Sequence, residues 1–152
     1  MDKKFELTTD TKIHFGRKLF RIKALVSFGN VKAGDLGGYV ESEQNLSQNG
    51  DAWVYGDARV YGDARVYGNA EVYGDADYVC VKGLGSACRN TTFFKCKNGD
   101  IGVACGCFNG NLEEFAKKVR NTHGDSKYAK EYLAMVEVVK IHFEKEDKDD
   151  ER

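Results

Sequence analysis

The chain has 152 residues, of which 23 are Lys or Arg and 24 are Asp or Glu, for a formal net charge of −1. So even a balance sets up no global field toward a polyanion, which argues against nucleic acid as a partner. No stretch approaches the ~20 apolar residues of a membrane span, and no basic segment precedes an apolar run, so we expect a cytoplasmic protein that does not enter the membrane.

Five cysteines, Cys80, Cys88, Cys96, Cys105 and Cys107, fall in the second half without a CxxC pair. An odd count in that pattern indicates reduced thiols rather than a disulfide framework. With 17 glycines and no proline, the corners must be built by Gly and Asx residues that tolerate positive φ.

Residues 3 to 28 alternate. Phe5 and Leu7, Ile13 and Phe15, then Phe20, Ile22, Ala24 and Val26 lie two apart, which predicts strands joined by a tight turn at Gly16-Arg17. Arg17, Lys18, Arg21 and Lys23 lie between them, as a solvated strand face or as an anion site. Residues 29 to 49 hold Gly29-Asn30, Gly34-Asp35, Gly37-Gly38 and Asn49-Gly50, so a loop-rich segment leads into a regular repeat.

Residues 50 to 79 are five copies of one hexad: Gly-Asp-Ala-Trp-Val-Tyr, twice Gly-Asp-Ala-Arg-Val-Tyr, Gly-Asn-Ala-Glu-Val-Tyr and Gly-Asp-Ala-Asp-Tyr-Val. A period of six does not suit a single helix. Ala52, Val54, Ala58, Val60, Ala64, Val66, Ala70 and Val72 set a small residue and a branched one alternately on one side, as strands do. Gly-Asp or Gly-Asn then turns each run, giving short strands that stack on one another.

The unit Val-Tyr-Gly-Asp-Ala-Arg resembles the left-handed β-helix repeat of the hexapeptide-repeat transferase superfamily, departing from it at Tyr55, Tyr61, Tyr67 and Tyr73. With Val31-Lys-Ala-Gly-Asp-Leu-Gly-Gly-Tyr-Val40 before it and the C-terminal part after it, the whole chain resembles a family of small phage and prophage proteins of uncharacterised function. The resemblance implies three hexads per coil, hence about two and a half coils over residues 36 to 79. Stacked repeats need roughly three units and capped ends, so another surface must cover them. Tyr55, Tyr61, Tyr67 and Tyr73 would point outward, Tyr55 above Tyr73, and together with Trp53 they suggest an interface. The expectation is a homo-oligomer, a trimer or a multiple of one. The alternative is that the chain's own terminal segments cover the tyrosines. Arg59 and Arg65 alternate with Asp57, Asp63 and Asp75, lining a ligand cleft or forming exposed ion pairs.

From residue 80 the pattern changes. A strand at Val79 leads to a Gly- and Ser-rich loop, and Thr92-Phe-Phe-Lys-Cys-Lys, Asn98-Gly99 and Asp100-Ile-Gly-Val-Ala-Cys read as a hairpin. Asn111 with Glu114 reads as a capping box for a helix carrying Leu112, Phe115 and Val119. His123-Gly124 ends it, and Asp125 or Ser126 begins a second helix with Tyr128, Tyr132, Met135 or Val136, Val139 and Phe143 on one face. The charged tail from Glu144 to Arg152 is expected to fray. The expected fold is therefore mainly β and α+β overall. Residues 1 to 35 form N-terminal strands, 36 to 79 a short left-handed β-helix, and 80 to 152 a β-hairpin followed by two helices.

The candidate site is the loop from Gly83 to Thr92. Its glycines let backbone amides approach a ligand, and Ser86, Thr91 and Thr92 supply hydroxyls. Asn90 adds an amide and Arg89 a fork suited to phosphate or carboxylate. Ordinary turn chemistry is the competing account. Cys96, Cys105, Cys107 and His123 lack the pair spacing of a zinc site, and we assign neither metal nor cofactor. His14, His123 and His142 all lie outside the hexads, whereas the superfamily's acyltransferases use a histidine within the coils. The leading functional expectation is a non-enzymatic phage or prophage protein that sequesters a small anionic ligand, with a cyclic nucleotide signal of bacterial immunity as the candidate. A structural assembly protein and a degenerate transferase are the alternatives.

Overall fold

The alternation in the first 24 residues folds as two antiparallel strands in the computed structural model, which describes residues 3–87, 89–97, 99–106 and 108–144. They are β1 (Phe5–His14) and β2 (Arg17–Ala24), closed by the pair His14–Arg17. The turn is therefore Phe15-Gly16, one residue earlier than expected. Both have positive φ, 48° and 78°, as a two-residue hairpin turn matched to strand twist requires. Phe15 consequently stands at the tip, 88% exposed, instead of facing inward.

The alternation changes phase at Arg21. Pairing slips between Leu7 and Thr11 on one side of β2 and between Arg21 and Lys23 on the other, so Leu19 is fully buried while Phe20 is only half-buried. Arg21 occupies the slip. Its guanidinium donates to the Gly37 carbonyl and the Tyr39 hydroxyl at 2.8 Å each, to Asp10 at 2.9 Å and to Asp57 at 3.2 Å. Burial would lower its pKa, but the bonds to Asp10, Asp57 and Tyr39 outweigh that and raise it. Arg21 is thus a tie between the hairpin and the hexads, neither a solvated cation nor an anion site.

Strand β3 (Leu36–Val40) pairs antiparallel with β2 and parallel with β5 (Arg59–Val60), while β4 (Trp53–Val54) pairs parallel with β6 (Glu71–Val72). Trp53 lies beside Glu71 and Val54 beside Val72, three hexads on; Leu46 bridges Val66 in the same sense. The inward residues are as expected: Val54, Val60, Val66 and Val72 are all 0% exposed and the four alanines before them at most 3%. At Gly38 a Cβ would come within 2.5 Å of the Ala58 carbonyl oxygen, so only glycine lets β3 lie this close. The corner glycines Gly56, Gly62 and Gly68 have φ of 59°, 67° and 67°. Gly74 is extended at −154°, so the fifth copy abandons the corner. Its Asp75–Asp77 form a 3-10 turn, and β7 starts at Tyr78.

Lys4 seals the end where the chain enters. It is 4% exposed, its ammonium donating to the Ala52 carbonyl at 2.7 Å and lying 4.8 Å from the Phe28 ring centre. Burial, partly offset by Asp51, lowers its pKa to about 8.

The C-terminal part is larger in β structure than a hairpin. β7 (Tyr78–Leu84), β8 (Arg89–Lys95), β9 (Ile101–Cys105) and β10 (Phe108–Asn111) form one antiparallel sheet in the order β10-β9-β8-β7. The last strand is not legible in the sequence because Phe-Asn-Gly-Asn has turn composition. Asn98 of the expected hairpin turn, Cys88, Cys107 and the tail from 145 lie outside the described residues. Asn111 and Glu114 close the capping box at 2.8 and 2.9 Å at the head of α1 (Leu112–His123), and Ser126 caps α2 (Lys127–His142).

The sheet separates two cores. Phe94, Cys96 and Ala104 join the hexad valines on one side, while Phe93, Val103 and Cys105 join Leu112, Phe115, Val119, Tyr132, Val136 and Val139 on the other. The architecture is α+β, with three sheets among the described residues and two C-terminal helices. No described helix is long and apolar enough to cross a membrane.

Candidate anion-binding cleft

Where β8 passes the hexads, the sheet alternation decides which side chains meet. Asn90 and Thr92 face the hexads, and Thr91 faces the helices. A cleft of about 210 Å³ opens there, with Arg65 and Gly62 of the third hexad on one wall, Arg89, Asn90 and Thr92 on the other, and Gln44 and Asn45 beside them. Two stretches singled out separately in the sequence are therefore brought together, and Arg65 and Arg89 flank one space.

Thr92 joins the walls. Its hydroxyl oxygen accepts from the Arg65 backbone N–H at 3.0 Å, and the residue is 1% exposed. Asn45, also 1% exposed, holds the opposite side through its amide, which donates to the Ala64 carbonyl at 2.8 Å and accepts from the N–H groups of Glu41 and Ser42. Sequence patterns do not reveal this residue, because a lone Asn in a glycine-rich segment carries only turn propensity. Asn90 contributes a buried Oδ1 with no hydrogen-bond partner among the described residues. That oxygen is an acceptor with unspent hydrogen-bonding capacity at the edge of the cleft. Asp63 is the one carboxylate among the described lining residues, and Lys82 lies 3.8 Å from it.

The other candidates lie elsewhere. Thr91 is 0% exposed and donates to the Cys105 sulfur at 3.2 Å, so its hydroxyl is part of the helix-side core. Ser86 opens onto a second cleft on that side, which Arg89 also lines. Arg59 is held away by Asp75, at 2.6 Å, and by the His14 ring nitrogen, at 2.9 Å. Partial burial would raise the Asp75 pKa; the side-chain and backbone bonds from Arg59 outweigh this and hold it below the usual carboxylate range. Cys96 and Cys105 sit in different cores, and among the described residues no group of His, Cys, Asp and Glu is placed to hold a metal ion. Burial pushes the Cys96 thiol up to about 11.

The aromatic residues of the hexads divide likewise. Trp53 is 1% exposed and packs edge-on against Phe5 and Phe28, which corrects its placement on the outer surface: the N-terminal hairpin covers it. Tyr61 lies beneath the hairpin tip, near His14 and Arg17. Tyr55 and Tyr67 are half-buried against the hexad core, and Tyr73 stands out at 56% exposure. Compared with protein-family models and with curated proteins, the chain matches none.

Proposed function

We propose that this chain is a phage- or prophage-encoded, non-enzymatic protein that binds and sequesters a small anionic ligand in the cleft between Arg65 and Arg89. The single observation that supports the reading most is that Arg65 and Arg89, from separate stretches of the chain, line one cleft together with Asn90 and a backbone tie through Thr92. Guanidinium forks suit phosphate and carboxylate oxygens in paired hydrogen bonds. Asp63, the one carboxylate among the described lining residues, lies near Lys82, so the balance of charge at the rim favours an anion. A phosphate-bearing ligand, with cyclic nucleotides as the working class, fits this chemistry and the family resemblance. A volume of about 210 Å³ is below the usual range for a whole drug-sized ligand, so the cleft would grip the anionic part of a nucleotide.

The finer architecture belongs to the same proposal. The parallel pairing of Trp53 with Glu71 and Val54 with Val72, three hexads apart, supports a short left-handed β-helix coil, and the Tyr55–Tyr73 flank supports its use in a homo-oligomer, a trimer by resemblance, in the cytoplasm of a bacterial host. A structural assembly protein is the second reading, favoured by the exposure of Phe15 and Tyr73.

The test is a melting-temperature screen of the purified protein against pyrophosphate and a panel of cyclic nucleotides. A ligand at 100 times its Kd adds about 2.7 kcal/mol. Binding that weakens in both Arg65→Ala and Arg89→Ala supports the reading; no shift with any anion at millimolar concentration sinks it in favour of assembly.

A further inference from the structure

The helix side of the C-terminal sheet carries a second cleft of about 380 Å³, within the usual range for small-molecule sites. Its lining combines four aromatic rings, those of Phe108, Phe115, His123 and Tyr132, with the cations Arg89 and Lys118. Phe115 meets Tyr132 edge-on, with ring centres 5.5 Å apart and planes at 89°, and is tilted 55° to Phe108 at the same separation. Phe115 and Tyr132 are nearly buried and form the back of the wall, His123 lies close to parallel with Tyr132 at 6.0 Å, and the half-buried rings of Phe108 and His123 carry the more accessible aromatic surface. Lys118 lies one helical turn from Phe115 on α1, and Arg89 enters from the first residue of β8. Ser86 and Thr122 add hydroxyls, and the described lining contains no carboxylate.

The core beneath is closed by its own bonds. The Tyr132 hydroxyl donates to the Leu84 carbonyl at 3.1 Å, and Thr91 donates to Cys105. The polar atoms at the floor are therefore engaged, and the rim cations supply the recognition. An apolar aromatic wall whose described lining carries two cations and no carboxylate, with Glu131 set behind it on the Gly85 N–H, suits a ligand that is flat and uncharged at one end and anionic at the other.

We infer that this cleft is a second binding site, for a planar aromatic or heteroaromatic ring bearing an anionic group, with the ring against Phe108, Phe115 and Tyr132 and the anion toward Arg89 and Lys118. Nucleoside phosphates and aromatic carboxylates share this chemistry. The site goes beyond the anion cleft and shares only Arg89 with it, so residues private to each separate the two.

Isothermal titration of the full chain with adenosine monophosphate, indole-3-acetate, adenosine and inorganic phosphate tests the inference. At least one of the two aromatic anions is expected to bind tenfold or more tightly than either adenosine or phosphate, and whichever it is names the anionic group. Lys118→Ala, at an exposed helical position, is expected to lose roughly tenfold in that affinity without lowering the melting temperature. Phe108→Leu, which keeps an apolar side chain but removes the ring, is expected to weaken it as well, and Arg65→Ala to leave it unchanged. The inference is overturned if phosphate binds the Arg65→Ala chain as well as the aromatic anions do, if Lys118→Ala and Phe108→Leu both leave affinity unaltered, or if no aromatic anion binds at millimolar concentration. Pyrophosphate binding that weakens in both Arg65→Ala and Arg89→Ala but not in Lys118→Ala would then still support the anion cleft.

Discussion

The rings of Tyr55 and Tyr73 lie nearly parallel, 15° apart in plane and 4.3 Å between centres. They occupy equivalent places three hexads apart, so the same pairing that sets Val54 beside Val72 also builds a column of tyrosines on the outer flank. Burial, and then Tyr73, raises the Tyr55 pKa to about 12. If a second copy packs on this column, Tyr73→Asp places a charge in the contact while leaving the inward valines untouched. Light scattering is expected to give a multiple of the chain mass for the native protein and the single-chain mass for the variant. A native monomer would refute the interface.

Arg21 provides the test of how the hairpin is fastened. Its side chain bonds to groups on three segments, so Arg21→Lys keeps the charge and loses the fork. The expected cost is about 2 kcal/mol, since bonds to charged groups contribute roughly 1.5–3 kcal/mol, and the melting temperature is expected to fall by roughly 4–8 °C. An unchanged melting curve would show that β1 and β2 hold without the tie.

Arg89 separates folding from binding. It is exposed at the start of β8, so Arg89→Ala is expected to leave the melting temperature of the empty protein nearly unchanged while lowering affinity for a phosphate-bearing ligand roughly ten- to a hundredfold. Arg89→Lys is expected to fall between the two, because a point charge cannot reproduce paired hydrogen bonds. Unfolding of the alanine variant would make Arg89 a structural clamp.

Lys4 gives a pH dependence of defined sign. Its folded pKa of about 8 lies below the ordinary 10.5, so between these values the unfolded chain holds a proton that the folded chain has released. Stability from this residue therefore rises with pH across that window. Urea midpoints of the native protein and of Lys4→Met, taken near pH 8 and near pH 10, are expected to shift relative to each other in favour of the native chain, by on the order of 2 kcal/mol. Curves that run parallel would mean that Lys4 titrates normally.

Much of this architecture can be read from residue patterns, because the physics involved is local or periodic. The hexad interior follows from alternation, and the helix starts follow from Asn111, Glu114 and Ser126 bonding to backbone amides within one turn. The site is legible only in halves. Arg59 and Arg65 hold the same place in identical hexads, yet one is taken up by Asp75 and His14 and the other lines a cleft with Arg89. What distinguishes them is the neighbour that each corner happens to meet, which no local pattern records. Thr91 departs from expectation for a different reason. Its surroundings have loop composition up to Thr92, whereas β8 begins at Arg89, and strand alternation turns Thr91 away from its neighbours. Trp53 is inside rather than outside because the hairpin that buries it is remote in sequence, and Phe15 is outside because a turn set one residue earlier inverts the facing of everything at the tip.

The three-hexad offset between Trp53 and Glu71 also constrains how such a chain can change in length. In the three-hexad coil proposed above, a duplication of eighteen residues would return every valine to a place above another valine and every corner glycine to a corner. A single added hexad would instead move Arg65 to the next side and carry it away from β8, although each local sequence stayed intact. Slippage between the two identical hexads from Gly56 to Tyr67 would change length by six, so descendants that keep the cleft should differ here by whole sets of three.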